Sequence, residues 1–252
     1  MQTYQERIGV FKKHKSDAHQ SRFQNYFKEV IYGGIDGIIT TFAVVAGFSG
    51  AALAQDTATQ LTFLVVLLFG LANLFADGVS MGLGNYLSVK SNQDLYGIAR
   101  KAEEKEVRDN FQFEFDETVT ILEDKGYSES DARALALLYA KNETFWVDFM
   151  MEHELAMPDP RGDNPILTGL ATLSSFLVFG SIPLLPFIFL GEAHADTLFM
   201  YSIAGTACAL VALGFLKFKV VGSGLVASLF EVTAVGGSAA TIAFFVGTFF
   251  SI

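Results

Sequence analysis

LTFLVVLLFGLANLFADGVSMGLGNYLSVKS, residues 61–91, is the stretch whose reading decides the architecture of this chain. Its first half is almost wholly apolar, and about twenty such residues in a helix cross the roughly 30 Å hydrocarbon core of a bilayer. Near its middle stands Asp77. A central Asp costs roughly 2.5–3.5 kcal/mol on insertion scales, and each Leu or Phe returns about half a kcal/mol. The apolar neighbours outweigh the acid, so the segment inserts, and something must keep the acid there.

The rest of the chain has the same character. Of 252 residues, 51% are hydrophobic and 17% charged, against about a quarter charged in ordinary soluble domains. The apolar residues fall in long blocks, which marks a membrane protein rather than a soluble one with a large core. Five spans are read at about 30–54, 61–89, 166–190, 197–216 and 225–250. The predicted fold is an all-α polytopic membrane protein with five transmembrane helices and a cytoplasmic three-helix insert. The chain divides into an N-terminal segment (1–28), spans one and two (29–90), a helical insert (91–163) and spans three to five (164–252).

Basic residues set the expected sidedness. Arg7, Lys12, Lys13, Lys15, Arg22 and Lys28 precede the first span, a second group runs from Lys90 to Arg161, and Lys217 and Lys219 follow the fourth. With five spans all of them fall on one side, which the positive-inside rule makes cytoplasmic. The N-terminus and the insert are then cytoplasmic and Ile252 lies on the far side. No short apolar region with a cleavage site precedes residue 30, so the first span is expected to act as its own insertion signal. The single cysteine, Cys208, excludes an intrachain disulfide.

Within the insert, residues 92–108 are expected to prolong the second span as helix. A break at Asp109-Asn110 precedes a helix over 111–125. Ser128 and Asp131 resemble a capping box that opens a third helix over 129–156, ended by Pro158 and Pro160. The segment RFQNYFKEV before span one is mildly amphipathic and suits the membrane interface.

Residues four apart share a helix face. Asn73, Asp77, Met81 and Asn85 form such a stripe, about 18 Å long at 1.5 Å per residue. Asp36, Thr40, Ala43 and Gly47 form another in span one, and Glu231 adds an acid in span five. Two readings stand side by side: polar packing between helices, or a cation or proton pathway, which intramembrane acids without basic partners commonly mark. Met81 is a thioether ligand suited to transition metals or a core filler.

The insert carries a second regularity: Glu103-x-x-Glu106, Glu114-x-x-Glu117 and Met150-Met151-x-x-Glu154. On one unbroken helix the two Glu pairs would stand about 16 Å apart. A turn at Asp109-Asn110 would converge them, and the third helix would close the group with Glu154 and one or both methionines. Charge-rich exposed helices also contain such pairs by chance. If a metal binds, carboxylates with thioether favour a first-row divalent ion over Mg²⁺ or Ca²⁺. His153 is turned about 100° from Glu154 along the helix and suits a solvated or structural role.

GGIDGIITTFAVVAGFSGA (33–51), ADGVSMGLGNYLSVKS (76–91) and the Glu/Met pattern of the insert together resemble the vacuolar iron transporter family. The resemblance implies a homodimer exporting cytosolic Fe²⁺ in exchange for protons, and the pore is expected between the two copies' first spans. It implies a cytoplasmic metal-binding insert whose ligands match Glu103, Glu106, Glu114, Glu117, Met150, Met151 and Glu154. It implies that Asp36 and Met81 handle the ion in the membrane and that Glu231 matches an acid of the last span; Asp77, from its place on the span-two stripe, is expected as a further pathway residue. Asn73 stands where some relatives place an acid. The expectation is a transporter in iron homeostasis, not an enzyme, with no prosthetic group and no nucleic-acid partner. Its partners are the bilayer, protons and Fe²⁺, or Mn²⁺, Zn²⁺ or Co²⁺ in its place. It would lie in the plasma (inner) membrane of a bacterium or the vacuolar membrane of a eukaryote. The alternatives are a Mn²⁺ or broad divalent-metal carrier, a membrane-anchored di-iron carboxylate oxidase, whose usual Glu-x-x-His pairs are missing from the insert, and a metal sensor.

Overall fold

A computed structural model of the chain describes residues 26–54, 60–190 and 194–249, and these are helical with short turns. The order is α1 (Phe27–Ala54), α2 (Gln60–Asp109), α3 (Phe111–Asp124), α4 (Glu129–Tyr139), α5 (Glu143–His153), a 3-10 turn at Pro160–Gly162, α6 (Pro165–Gly180), a second 3-10 turn at Ile182–Leu184, α7 (Leu185–Phe189), α8 (Ala195–Val221) and α9 (Leu225–Phe249). The five apolar blocks are five helical segments long and apolar enough to cross a membrane. The chain is an all-α, multi-pass membrane protein. Most of residues 1–28, including the start of the amphipathic segment, lies outside the described residues.

Two compact units divide the chain, one of residues 1–85 with 166–252 and one of 86–165. In the first, Phe42, Val45, Val66, Leu74, Phe176, Leu184 and Leu198 build one apolar core, and Ile38, Ala209, Leu210, Leu213 and Val232 build a second. Outward side chains such as Leu64, Leu68, Phe75, Val79 and Leu83 are exposed, as a lipid-facing surface requires. Close backbone contact depends on missing side chains: a Cβ at Gly37 would meet the Phe176 carbonyl oxygen at 2.5 Å, and one at Gly33 the Thr172 oxygen at 2.6 Å. The third span departs from a single helix. α6 ends at Gly180 and passes through a 3-10 turn into α7, because Pro183 and Pro186 offer no N–H to an α-helical ladder.

The second unit has its own core of Tyr96, Val107, Phe115, Val119, Leu122, Ala132, Ala136, Trp146, Val147, Met150 and Met151. α2 ends at Asp109 and α3 begins at Phe111, at the expected break. Gly126 leaves α3 with φ +98°, a conformation glycine adopts without strain. Ser128 then caps α4, accepting from the Asp131 amide at 3.2 Å and donating to its carboxylate at 2.7 Å. The single helix expected over 129–156 is two helices. Asn142 accepts the Phe145 amide at 3.2 Å and starts α5 afresh, because an Asn cap competes with continued helix.

Candidate metal site

One face of the distal part of α2 turns Tyr96, Glu103 and Val107 into the core of the second unit. α3 contributes Glu114, Thr118 and Leu122 from the opposite side, and α5 contributes Trp146 and Met150, followed one turn later by Glu154 at its C-cap. The turn at Asn110 overcomes the separation the straight helix would impose. Carboxylate oxygens of Glu103, Glu114 and Glu154 lie within 4.8 Å of one another.

Glu103 is 5% exposed and Glu114 3%. Glu103 Oε1 and Glu114 Oε2 are buried with no hydrogen-bond partner in the protein. Two ionised acids cannot stay buried at this distance unless a proton or a cation joins them. Burial, then the charges of Glu114 and Glu154, push Glu103 up to about 8, and it hydrogen-bonds Glu114. Burial also raises Glu114, an effect the hydrogen bond from Glu103 opposes. Partial desolvation, then the charges of Glu117 and Glu114, raise Glu154 to about 7. Glu103 and Glu154 are thus pushed toward neutrality, and carboxyl oxygens so placed can take a proton or a cation.

The remaining predicted ligands are placed differently from this trio. Glu117 and Glu106 act on it electrostatically, although Glu106 is exposed and accepts a hydrogen bond from Asn110. Met150 and Met151 are fully buried. Met150 Sδ lies 3.2 Å from Thr118 Oγ1, and Trp146 Nε1 donates to the same hydroxyl at 2.7 Å. His153 is exposed and stacks edge-on against Phe149 at 4.5 Å, a structural place. Sequence reasoning passed over Thr118 and Trp146. The signal was present: Thr118 follows Glu114 by four residues, and Trp146 precedes Met150 by four.

In the membrane unit, Asp36 is half-buried on α1 and interacts electrostatically with Asp77 on α2. The acids of the two predicted stripes thus feel each other's charge. Met81 is half-buried against the core of Phe42 and Phe176. Thr40 donates to the Asp36 carbonyl of its own helix at 2.8 Å, and Asn85 donates across to Thr172 on α6 at 2.7 Å, joining α2 to α6. Asn73 lines an apolar groove of about 330 Å³ with Val44, Phe48 and Phe69. Glu231, expected to have no basic partner, is ion-paired with Lys217. The pairing escaped the sequence because Lys217 belongs to α8 and the turn at Gly222 returns the chain beside it. Glu29, also passed over, is 3% exposed with one carboxyl oxygen unpartnered, seven residues before Asp36 on the same face of α1.

Comparison with known proteins gives concordant matches. The family model described as the VIT family matches residues 27–248. A vacuolar iron transporter of Toxoplasma gondii is 36% identical over 245 residues, covering 93% of this chain and 77% of that protein. Vacuolar iron transporter 1 of Arabidopsis thaliana is 31% identical over 217 residues, 86% of this chain and 83% of its own length. A vacuolar iron transporter of Plasmodium falciparum is 32% identical over 214 residues, 81% and 76% of the two chains.

Proposed function

The chain belongs to the VIT family, and from that premise we propose that it moves Fe²⁺ out of the cytosol across its membrane in exchange for protons. Its relatives are transporters rather than enzymes, and iron transport is the activity their names carry. The observation that carries the reading is the convergence of Glu103, Glu114 and Glu154 with two buried, unpartnered oxygens. A carboxylate trio in a unit whose core also holds the Met150 and Met151 thioethers suits a first-row divalent ion, with Mn²⁺ the nearest competitor in ligand preference.

Each step follows from what carboxylates can hold. A proton and a metal ion compete for the same oxygen. The insert, on the cytoplasmic side, captures Fe²⁺ as the trio releases its proton. The ion is next held in the membrane by Asp36 and Met81, with Asp77 adding charge that favours a cation over a neutral occupant. Protons return through Asp36 and Asp77 as the ion leaves. Glu231 holds α9 to α8 through Lys217. The protein acts as a homodimer, in the vacuolar membrane of a eukaryotic cell or the plasma membrane of a bacterial one.

Reconstitution into proteoliposomes tests this directly. Fe²⁺ uptake is expected to rise with an imposed proton gradient of the correct sign and to dissipate it in turn. Uptake indifferent to the gradient rejects antiport. Fe²⁺ binding without flux makes the protein a sensor.

A further inference from the structure

Between Trp146 and Met150, one turn apart on α5, stands a single hydroxyl from α3. Thr118 Oγ1 receives the indole N–H at 2.7 Å, lies 3.2 Å from Met150 Sδ and 2.8 Å from the Glu114 carbonyl oxygen. All three side chains are buried, with Trp146 1%, Thr118 0% and Met150 0% exposed. The indole is a donor only, so it fills one lone pair of the hydroxyl and leaves its proton for the sulfur or the carbonyl. Thr118 is one turn from Glu114 on α3, and Met150 is one turn from Glu154 on α5, so the sulfur is held one helical turn from the residues that bear two of the acids.

We propose that Thr118, oriented by Trp146, is a positioning residue that holds the Met150 thioether toward the Glu103–Glu114–Glu154 oxygens and thereby sets the site's preference for sulfur-accepting transition ions. The inference rests on the metal-site reading above and deepens it. Methionine is the most adaptable apolar side chain, with three rotatable bonds. Left to itself it would fill space with its sulfur in any direction. When its proton turns from the Glu114 carbonyl to the sulfur, the hydroxyl fixes one lone pair of the thioether and leaves the other for a metal. Without that contact the carboxylates still bind divalent ions in their ordinary order of affinity, but lose the added preference for an ion that gains from sulfur. Outer partners of this kind typically change metal affinity by about ten- to a hundredfold when removed.

The test uses the full chain in detergent, with Co²⁺ as a coloured, air-stable probe and Mn²⁺ as its competitor. In the wild type, Co²⁺ binding should give sulfur-to-cobalt charge-transfer absorption and quench Trp146, the chain's one tryptophan. In Thr118→Val the absorption should fade and the Co²⁺/Mn²⁺ affinity ratio fall by about tenfold, with Mn²⁺ affinity held. Thr118→Ser should restore both. Thr118→Val leaves the indole N–H buried and unpaired, so Thr118→Val with Trp146→Phe removes both partners and carries the test if the single variant does not fold. An unchanged ratio and band overturns the proposal, as does a parallel loss of Co²⁺ and Mn²⁺ affinity, which would mark simple packing. A wild type that binds neither ion takes down the metal-site reading and the proposal together.

Discussion

Glu103, from the distal part of α2, brings a carboxylate oxygen within 4.8 Å of one on Glu114 of α3, and each residue has a buried oxygen without a hydrogen-bond partner. Two acids eleven residues apart thus lie where burial opposes charging both, and a proton on one of them relieves the repulsion. The proton is the stand-in for a cation, and the first prediction follows from that exchange.

Binding of a divalent ion should release protons. With Glu103 near 8 and Glu154 near 7, both are substantially protonated at pH 6.5, and the metal must displace what they hold. Calorimetric titration with Co²⁺ in buffers of differing ionisation enthalpy should report release of about one to two protons at pH 6.5 and fewer at pH 8.5. Release independent of pH would show that these carboxyls do not bind the ion.

The same carboxyls make metal-free stability fall as pH rises. Glu103 holds its proton to about 8 in the folded chain, against about 4.3 when unfolded. Between these values the folded state carries more protons, so the favourable contribution is full below about 4.3 and lost as pH passes about 8. Thermal melts of the metal-free protein should show lower stability at pH 8 than at pH 5.5, with Co²⁺ restoring it at pH 8. Glu103→Gln should flatten the dependence; a variant with the wild-type slope would assign it to other groups.

Asp36→Asn should separate capture from transport. The insert trio lies in the other compact unit, so Co²⁺ affinity of the detergent-solubilised protein should hold while Fe²⁺ flux falls by about tenfold or more, about 1.4 kcal/mol on the barrier. Flux at wild-type rate in a folded variant would remove Asp36 from the pathway.

The Lys217–Glu231 pair predicts a rescue. Glu231→Gln leaves Lys217 without its partner, and Lys217→Met leaves Glu231 without its own. Each single change should lower thermal stability more than the double change does. If the double variant regains both stability and gradient-driven flux, Glu231 is structural. Loss of proton coupling in the double variant would return it to the pathway.

Gly37 and Gly47 lie on the same helix but should respond oppositely to alanine. A Cβ at Gly37 meets the Phe176 carbonyl oxygen at 2.5 Å, whereas Gly47 has nothing within 4 Å. Gly37→Ala should cost about 1–3 kcal/mol or more, since backbone rather than a flexible side chain must move. Gly47→Ala should be near neutral in thermal melts of the detergent-solubilised chain. Equal effects would refute close packing of α1 on α6.

Hydrophobic length is a local property, and the sequence by itself was enough to place five spanning segments, the helical extension to Asp109, the break at Asn110 and the cap at Ser128. The bilayer requires unbroken apolar helix, and a capping residue acts within three positions of itself, so no distant contact is needed to read either. Periodicity likewise put Glu103 and Glu106, or Asp77 and Met81, on common faces. Only the tertiary structure decided which carboxylates meet. Glu103, Glu114 and Glu154 come together while Glu106 stays exposed, and Lys217 reaches Glu231 across a turn. The hydroxyl of Thr118 lodges between Trp146 and Met150. Spacing along a helix sets the direction of a side chain relative to its own axis. What that side chain touches depends on how neighbouring axes cross, and that is settled by packing among residues far apart in the chain.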